Sequence, residues 1–392
     1  MAFPPLVQPG PPLTAQELER YGRHLLLPDL GMEGQRRLKN ARVLVVGAGG
    51  LGSPALLYLA AAGVGTIGIA DADVVDTSNL QRQIVHGSAD VGRLKTESAQ
   101  ETVSRVNPLV TVVRHDVVLD ARNAMEVLAG YDVVLDGTDN FPTRYLLNDA
   151  CVFSGIPCVW GSIYRFDGQA SVWSPAMQGP CYRCVFPEPP PPGMVPSCAE
   201  GGVLGVLCGV VGSVQAGEAL KLITGIGDPL VGRLLAHDAL RQSWDTLPVR
   251  PDPSCALCGP AATVTELVDY QAFCGVPSGQ RPPEEEISAA ELRALLDTTD
   301  SGQGTDTVVV DVRSPAERAI ASIPGAVAVE MSEFRSGAAL SAVPQDRPVV
   351  LYCASGVRSA EATSILRAAG RADVRSLKGG IATWLRAGDC GQ

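Results

Sequence analysis

Basic charge is scarce in this chain of 392 residues: 31 Lys and Arg face 42 Asp and Glu, a formal net charge of -11 at pH 7. That balance argues against general binding to nucleic acid or to an anionic membrane. Long apolar runs are missing too. The most apolar stretch, 201–214, is shorter than the roughly 20 residues of a membrane helix, and Gln215, Glu218 and Lys221 follow it. A buried helix is expected there. The proline-rich start lacks a charged segment leading into an apolar one, so no secretion signal is expected. No internal repeat is visible. Cysteines number 11, an odd count, and four of them form two C-x-x-C pairs. That usage fits metal and thiol chemistry in a reducing cytoplasm better than a disulfide scaffold.

Hydrophobic residues make up 46% and charged residues 19%, the balance of a globular protein with room for two or three domains. The chain is organised around 42–52. Val43 to Val46 reads as a strand buried on both faces of a parallel sheet. Gly47, Gly49 and Gly52 follow as G-x-G-x-x-G, with Gly50 between them, and Ser53 to Ala62 reads as a helix. A strand feeding a glycine turn that opens a helix aims backbone N–H groups at one point, which suits a phosphate. The glycines alone leave a dinucleotide and ATP both open.

The remaining chain sets that turn in an α/β frame. Residues 1–13 form a proline-rich arm expected to be mobile. Thr14 and Glu17 form a capping box, and the helix they open carries Arg23. Strands are expected at 66–70, 110–115, 133–135 and 158–163, alternating with helices, which implies an open, mostly parallel sheet. The polar residues at the strand ends are Asp71, Asp136 and Asp139. A proline-rich crossover loop lies at about 187–198, and 275–286 reads as a linker. The domains expected are therefore 14–274 and a smaller α/β domain over 287–392.

Four groups of residues could do chemistry. Cys181, Cys184, Cys255 and Cys258 supply four thiolates, enough to close a tetrahedral Zn²⁺ site with a structural role. Arg82 and Lys95 follow the acidic strand end at Asp71, near Asn79, where a nucleotide's phosphates would extend. With Asp139 as a ligand for Mg²⁺, they suit attack at a phosphoryl centre and favour ATP over a nicotinamide. Cys198 lies between the proline loop and a helix start, a position that can lower a thiol's pKa. Finally, Cys353-Ala-Ser-Gly-Val-Arg-Ser359 sits between a strand and a helix. Its amides, with Arg358, would cradle an anion around a nucleophilic thiolate. Cys-dependent phosphatases and persulfide-forming sulfurtransferases share that arrangement.

Gly47-Ala-Gly-Gly-Leu-Gly52, Asp76-Thr-Ser-Asn-Leu-Gln-Arg-Gln83, Asp136-Gly-Thr-Asp-Asn140 and the paired C-x-x-C together resemble the E1-like adenylyltransferases of the MoeB/ThiF type. The tail resembles a rhodanese domain, with Asp311-Val-Arg313, Glu317, Ile323-Pro-Gly325, the cysteine loop, Leu377-Lys-Gly-Gly-Ile381 and Trp384. The resemblance implies a Rossmann-like ThiF domain followed by a rhodanese domain. It implies adenylation by ATP of the C-terminal Gly-Gly carboxylate of a ubiquitin-like sulfur carrier, then sulfur transfer to give a thiocarboxylate. On this resemblance Gly49 approaches the phosphates, Asp71 takes the ribose, and Asn79, Arg82 and Lys95 line the phosphate path. Asp139 holds Mg²⁺, and Arg23 reaches across a homodimer into the neighbouring site. Cys353 carries sulfur from thiosulfate or a desulfurase persulfide, and Cys198 matches a cysteine that links covalently to the carrier in some relatives. Ala354 stands where many rhodaneses place an arginine. Two other readings compete with this one. An oxidoreductase leaves Arg82, Lys95 and Asp139 without a purpose, and a non-catalytic docking module does not require Cys353.

Overall fold

A computed structural model describes residues 3–191, 201–275, 285–300 and 307–389, divided into two units, Met1–Pro277 and Ser278–Gln392. Cys198, Cys390 and most of the expected linker lie outside the described residues.

The first unit holds one eight-stranded sheet. Its strands are β1 (Arg42–Val46), β2 (Thr66–Ala70), β3 (Thr111–His115), β4 (Val133–Asp136), β5 (Cys158–Tyr164), β6 (Asp167–Trp173), β7 (Arg233–Asp238) and β8 (Ser243–Pro248). They run in the order β3-β2-β1-β4-β5-β6-β7-β8, with β3 to β5 parallel and β5 to β8 joined antiparallel. Alternation along β1 explains why it has no polar face. Val43 and Val45 pack with the helices Gly52–Ala62 and Gly205–Thr224, while Leu44 and Val46 pack with Leu128, Tyr145 and Trp160 on the other side. Strand order reverses between β1 and β4, so their carboxyl ends open a crevice suited to a ligand.

The apolar stretch expected to be a buried helix is longer than the sequence suggested. It spans Gly205–Thr224 and has the length and composition to cross a membrane. Its polar residues are nevertheless met inside the unit. The buried Gln215 donates from Nε2 to the carbonyls of Asp136 and Val159 at 2.7 and 3.2 Å. Glu218 accepts from the Leu230 N–H at 2.7 Å. Gly212 is needed because a Cβ there would lie 2.4 Å from the Leu51 carbonyl, so the helix packs directly on the glycine turn.

The proline-rich arm makes fixed contacts over its described residues, 3–13. From Phe3 onward it is tied down: Leu6 donates its N–H to Leu222, and Gly10 donates to Arg36. Arg36 and Arg37 return hydrogen bonds to the carbonyls of Gly10 and Val7 at 2.8 and 2.7 Å, and Val7 is buried. Prolines restrict the unfolded arm, so less entropy opposes this docking.

The second unit has five parallel strands: β9 (Glu286–Ile287), β10 (Val308–Asp311), β11 (Val327–Ala328), β12 (Val349–Tyr352) and β13 (Val374–Leu377). Their order is β11-β10-β12-β13-β9. Valines and leucines of β10 and β12 alternate between two buried clusters, one on each face. Strand β12 delivers Cys353 directly to the N-terminal side of the helix Val357–Ala368.

Candidate functional site

The glycine turn after β1 is held by side chains as well as by its own shape. Gly47 has φ +89°, a conformation that side chains disfavour, and a Cβ on Gly52 would lie 1.9 Å from the Gly47 carbonyl. Ala48 donates its N–H to Asp71 Oδ2 at 2.9 Å, and Asp73 donates its own to Oδ1 at 2.8 Å. Each Asp71 oxygen keeps a further lone pair for a hydroxyl donor. Burial pushes the Asp71 carboxyl up, and the nearby Lys95 opposes that rise. Lys95 is itself nearly buried, and its Nζ lies 2.8 Å from Asp73 Oδ2. The end of β2 therefore brings together Asp71, Asp73, Lys95 and the turn.

Other expected residues are placed around this centre. Asn79 Oδ1 caps its own short helical turn by accepting from the Asp76 N–H at 3.3 Å. Half-buried Arg82 donates to the Ser78 carbonyl at 3.1 Å. A Cβ on Gly49 would be 3.6 Å from Gln83 Nε2, and one on Gly50 only 2.8 Å from Cys208 Sγ. Gly50 is thus required by the packing of the Gly205–Thr224 helix. Asp139 is exposed at the end of the loop that follows β4. The next residue, Asn140, N-caps the helix Phe141–Ser154 by accepting from Thr143 at 2.9 Å. Asp136 is buried and accepts from the Thr138 N–H and hydroxyl at 2.9 and 2.7 Å. Burial pushes its carboxyl up, with Arg144 opposing. Arg23 is not brought to this centre in the single chain, where it lies exposed on the short helix Gly22–Leu25.

Three neighbours of this centre carry no role in the sequence reading. His86 is buried, with Nε2 2.9 Å from the Ala48 carbonyl and Nδ1 2.8 Å from Ser98 Oγ. Buried Gln83 faces Gly49, and buried Arg144 lies over the rings of Phe141 and Trp160. For His86 the available signal was its place directly after Arg82-Gln83-Ile-Val, in the same loop.

The four paired cysteines come together, their sulfurs all within 4.8 Å of one another. Sγ–Sγ distances are 3.8 Å for Cys181–Cys184, 3.6 Å for Cys181–Cys255, 3.3 Å for Cys184–Cys258 and 3.5 Å for Cys258–Cys181. A tetrahedron with Zn–S bonds of about 2.3 Å has edges of about 3.8 Å, so the donor set and its size fit Zn²⁺. The first pair is also latched to the sheet-covering helix. Arg183, between Cys181 and Cys184, donates to both oxygens of the fully buried Asp149 at 2.8 and 2.7 Å. Tyr270 donates to the same carboxylate at 2.7 Å.

In the second unit, Cys353 is buried at the end of β12. Gly356, with φ +96°, turns its N–H onto Sγ at 3.1 Å. A Cβ on Gly380 would lie 2.5 Å from the Cys353 carbonyl, so glycine is needed where the last helix meets the loop. Arg358 pairs with Glu317 through two Nη donors at 2.6 and 3.0 Å. Burial works to raise the Glu317 pKa, but Arg358 and Ser314 outweigh it and bring the carboxyl down to about 2.

These features define a nucleotide-binding α/β enzyme joined to a cysteine-loop transferase unit. The chain belongs to the ThiF family, which matches residues 21–257, and residues 288–387 match the rhodanese-like domain. It is an adenylyltransferase and sulfurtransferase by this relationship. It is 55% identical over 98% of its length, and 97% of the relative, to the probable adenylyltransferase/sulfurtransferase MoeZ of Mycobacterium tuberculosis. The sulfur carrier protein adenylyltransferase of Thermus thermophilus is 56% identical over 67% of this chain and 98% of its own. The adenylyltransferase and sulfurtransferase MOCS3 of Mus musculus is 42% identical over 97% of this chain and 88% of its own. Among solved structures, E. coli MccB with ATP superposes with a TM-score of 0.52 at 22% identity, covering 58% of this chain and 69% of that one. That likeness concerns the fold.

Proposed function

We propose that the chain activates the C-terminal Gly-Gly carboxylate of a ubiquitin-like sulfur carrier with ATP and then replaces the adenylate with sulfur carried on Cys353. What carries this reading is one chain holding both a turn whose Ala48 N–H is fixed by Asp71 and a cysteine whose Sγ accepts from Gly356. The relatives' names, which include sulfur carrier adenylyltransferase, support the same substrate class.

In the first step a carboxylate oxygen of the carrier attacks the α-phosphorus of ATP and pyrophosphate leaves. The turn and the following helix end present N–H donors to the phosphates. Asp71 takes the ribose, while Asn79, Arg82 and Lys95 line the phosphate path. Lys95 must leave Asp73 to do so, and the 2.8 Å pair holds it ready at the strand end. Asp139 offers an exposed hard oxygen ligand, suited to Mg²⁺. Bound there, the ion would neutralise charge developing on the phosphates. Arg23, exposed in one chain, serves the neighbouring site of a homodimer in this reading.

The acyl-adenylate is then attacked by the outer sulfur of a Cys353 persulfide, and AMP leaves. The product is an acyl disulfide, and its S–S bond must be broken by a thiol to free the thiocarboxylate. A thiol reductant does this, and a second thiol equivalent restores Cys353 from the resulting disulfide; Cys198 is proposed instead to link covalently to the carrier. The sulfur donor is thiosulfate or a desulfurase persulfide, and a reducing cytoplasm keeps these thiols free. The test is carrier-dependent exchange of labelled pyrophosphate into ATP. Exchange that appears only with a carrier ending in Gly-Gly supports the reading, and exchange indifferent to the carrier rejects it.

A further inference from the structure

Behind Cys353 lies a pair of hydroxyls that the scheme above leaves unused. Ser359, in the first turn of the Val357–Ala368 helix, is fully buried, and Ser376 on β13 is nearly so. Their oxygens are 2.8 Å apart. Ser359 Oγ also lies 3.2 Å from the Gly356 carbonyl and 3.7 Å from Cys353 Sγ. We propose that Ser376 and Ser359 form a two-hydroxyl relay that positions Cys353 and holds its sulfur as an anion. The inference rests on Cys353 being the nucleophile.

The supply of hydroxyl protons sets the direction of these bonds. Two hydroxyls supply two, and the Gly356 carbonyl can only accept. If Ser359 donated to Ser376, both the carbonyl and the sulfur would lose it. The arrangement that serves most acceptors has Ser376 donating to Ser359, and Ser359 donating onward to Gly356 or to Sγ. A neutral thiol is a weak acceptor, so the proton then favours the carbonyl. Once Sγ is a thiolate, a charge-assisted bond to sulfur wins. The switch needs rotation of one O–H, and no heavy atom moves. With the Gly356 N–H at 3.1 Å, the anion then has two donors, and a charged form gains from each.

The surrounding charges are otherwise engaged. Arg358 pairs with Glu317 from the helix Pro315–Ile320, and Arg313 pairs with Asp311 at the end of β10. Farther along the helix, Glu361 pairs with Arg335, and after β13 the exposed Lys378 lies 3.8 Å from Glu286. Neither serine titrates, so a shifted pH profile on its removal reports the sulfur.

The test uses the full chain and the rate of iodoacetamide labelling on the Cys353 peptide, followed by mass spectrometry from acid to alkaline pH. Ser359→Ala should slow labelling at neutral pH roughly tenfold, the size expected for losing a hydrogen bond to a charged group, and converge with the parent at high pH. Ser376→Ala should shift the profile the same way by a smaller factor, because Ser359 is then less firmly aimed. Ser359→Thr should restore the parental profile. Superimposable profiles for the parent and both alanine variants overturn the relay while leaving the nucleophile intact. A Cys353 that is inert in the parent at every pH overturns both.

Discussion

The carbonyl of Ala48 accepts from His86 Nε2 at 2.9 Å, so this buried imidazole must carry its proton on Nε2 and accept from Ser98 on Nδ1. Asp71 holds the N–H of the same residue at 2.9 Å. Ala48, between Gly47 and Gly49, is therefore gripped by side chains at both its donor and its acceptor. Burial pushes the His86 pKa down, keeping the neutral form that this geometry needs. His86→Ala should raise the KM for ATP on the order of tenfold while changing kcat less, since a loosened turn loses ground-state positioning. His86→Gln, which can still donate to the carbonyl, should recover part of the loss. Steady-state pyrophosphate exchange at varied ATP separates the two parameters.

Asp139→Ala should lower carrier-dependent pyrophosphate exchange by roughly 10²–10³, the usual result of removing one group that stabilises charge in the transition state. Thiosulfate sulfurtransferase activity should persist in the same protein, because Asp139 and Cys353 belong to different units. Joint loss of both activities in a folded variant contradicts a two-site enzyme.

Zinc and the first unit's stability should fall together. Metal analysis should find one zinc per chain and a reduced content in Cys181→Ser. Arg183→Leu should leave Asp149 as an unpaired buried charge and cost about 3–5 kcal/mol, read as a lower unfolding midpoint in denaturant. Undiminished zinc in Cys181→Ser contradicts the assignment.

Acid should loosen the second unit through Glu317. Its folded-state pKa, about 2, lies below the ordinary 4.5, so the ionised form is the one stabilised by folding. The contribution is fully present above about pH 5 and is lost as pH falls through the folded value. By linkage it amounts to about 3 kcal/mol at neutral pH. Glu317→Gln should therefore lower stability at pH 7 and flatten the acid limb of the unfolding midpoint between pH 5 and 2. An unchanged acid limb contradicts the strength of the Arg358 pair.

Much of the parallel half of the first sheet was legible because β1, β2 and β4 are short apolar runs closed by a glycine or an acid, as Val43–Gly47 and Thr66–Asp71 show. Strands β6 to β8 were not, since β8 is largely exposed and carries Trp244-Asp-Thr with little alternation. Their pairing is set by antiparallel register against β5, which local sequence does not encode. The contacts of the arm over 3–13 were not legible because its anchors, Arg36 and Leu222, lie far along the chain. At the sites, cysteine spacing and glycine patterns announce themselves. His86 and Ser376 do not, because their importance depends on Ala48 and Ser359 arriving beside them from other elements.

The central claim, adenylation in the first unit followed by sulfur transfer at Cys353, is tested most directly by intact mass of a Gly-Gly-ended sulfur carrier incubated with ATP, Mg²⁺, thiosulfate and a thiol reductant. With the parent chain the carrier should become the thiocarboxylate. With Cys353→Ala it should stop as the AMP adduct, and the parent alone should show a gain of about 32 Da on the Cys353 peptide after thiosulfate treatment. Thiocarboxylate formed as readily by Cys353→Ala as by the parent would contradict the account.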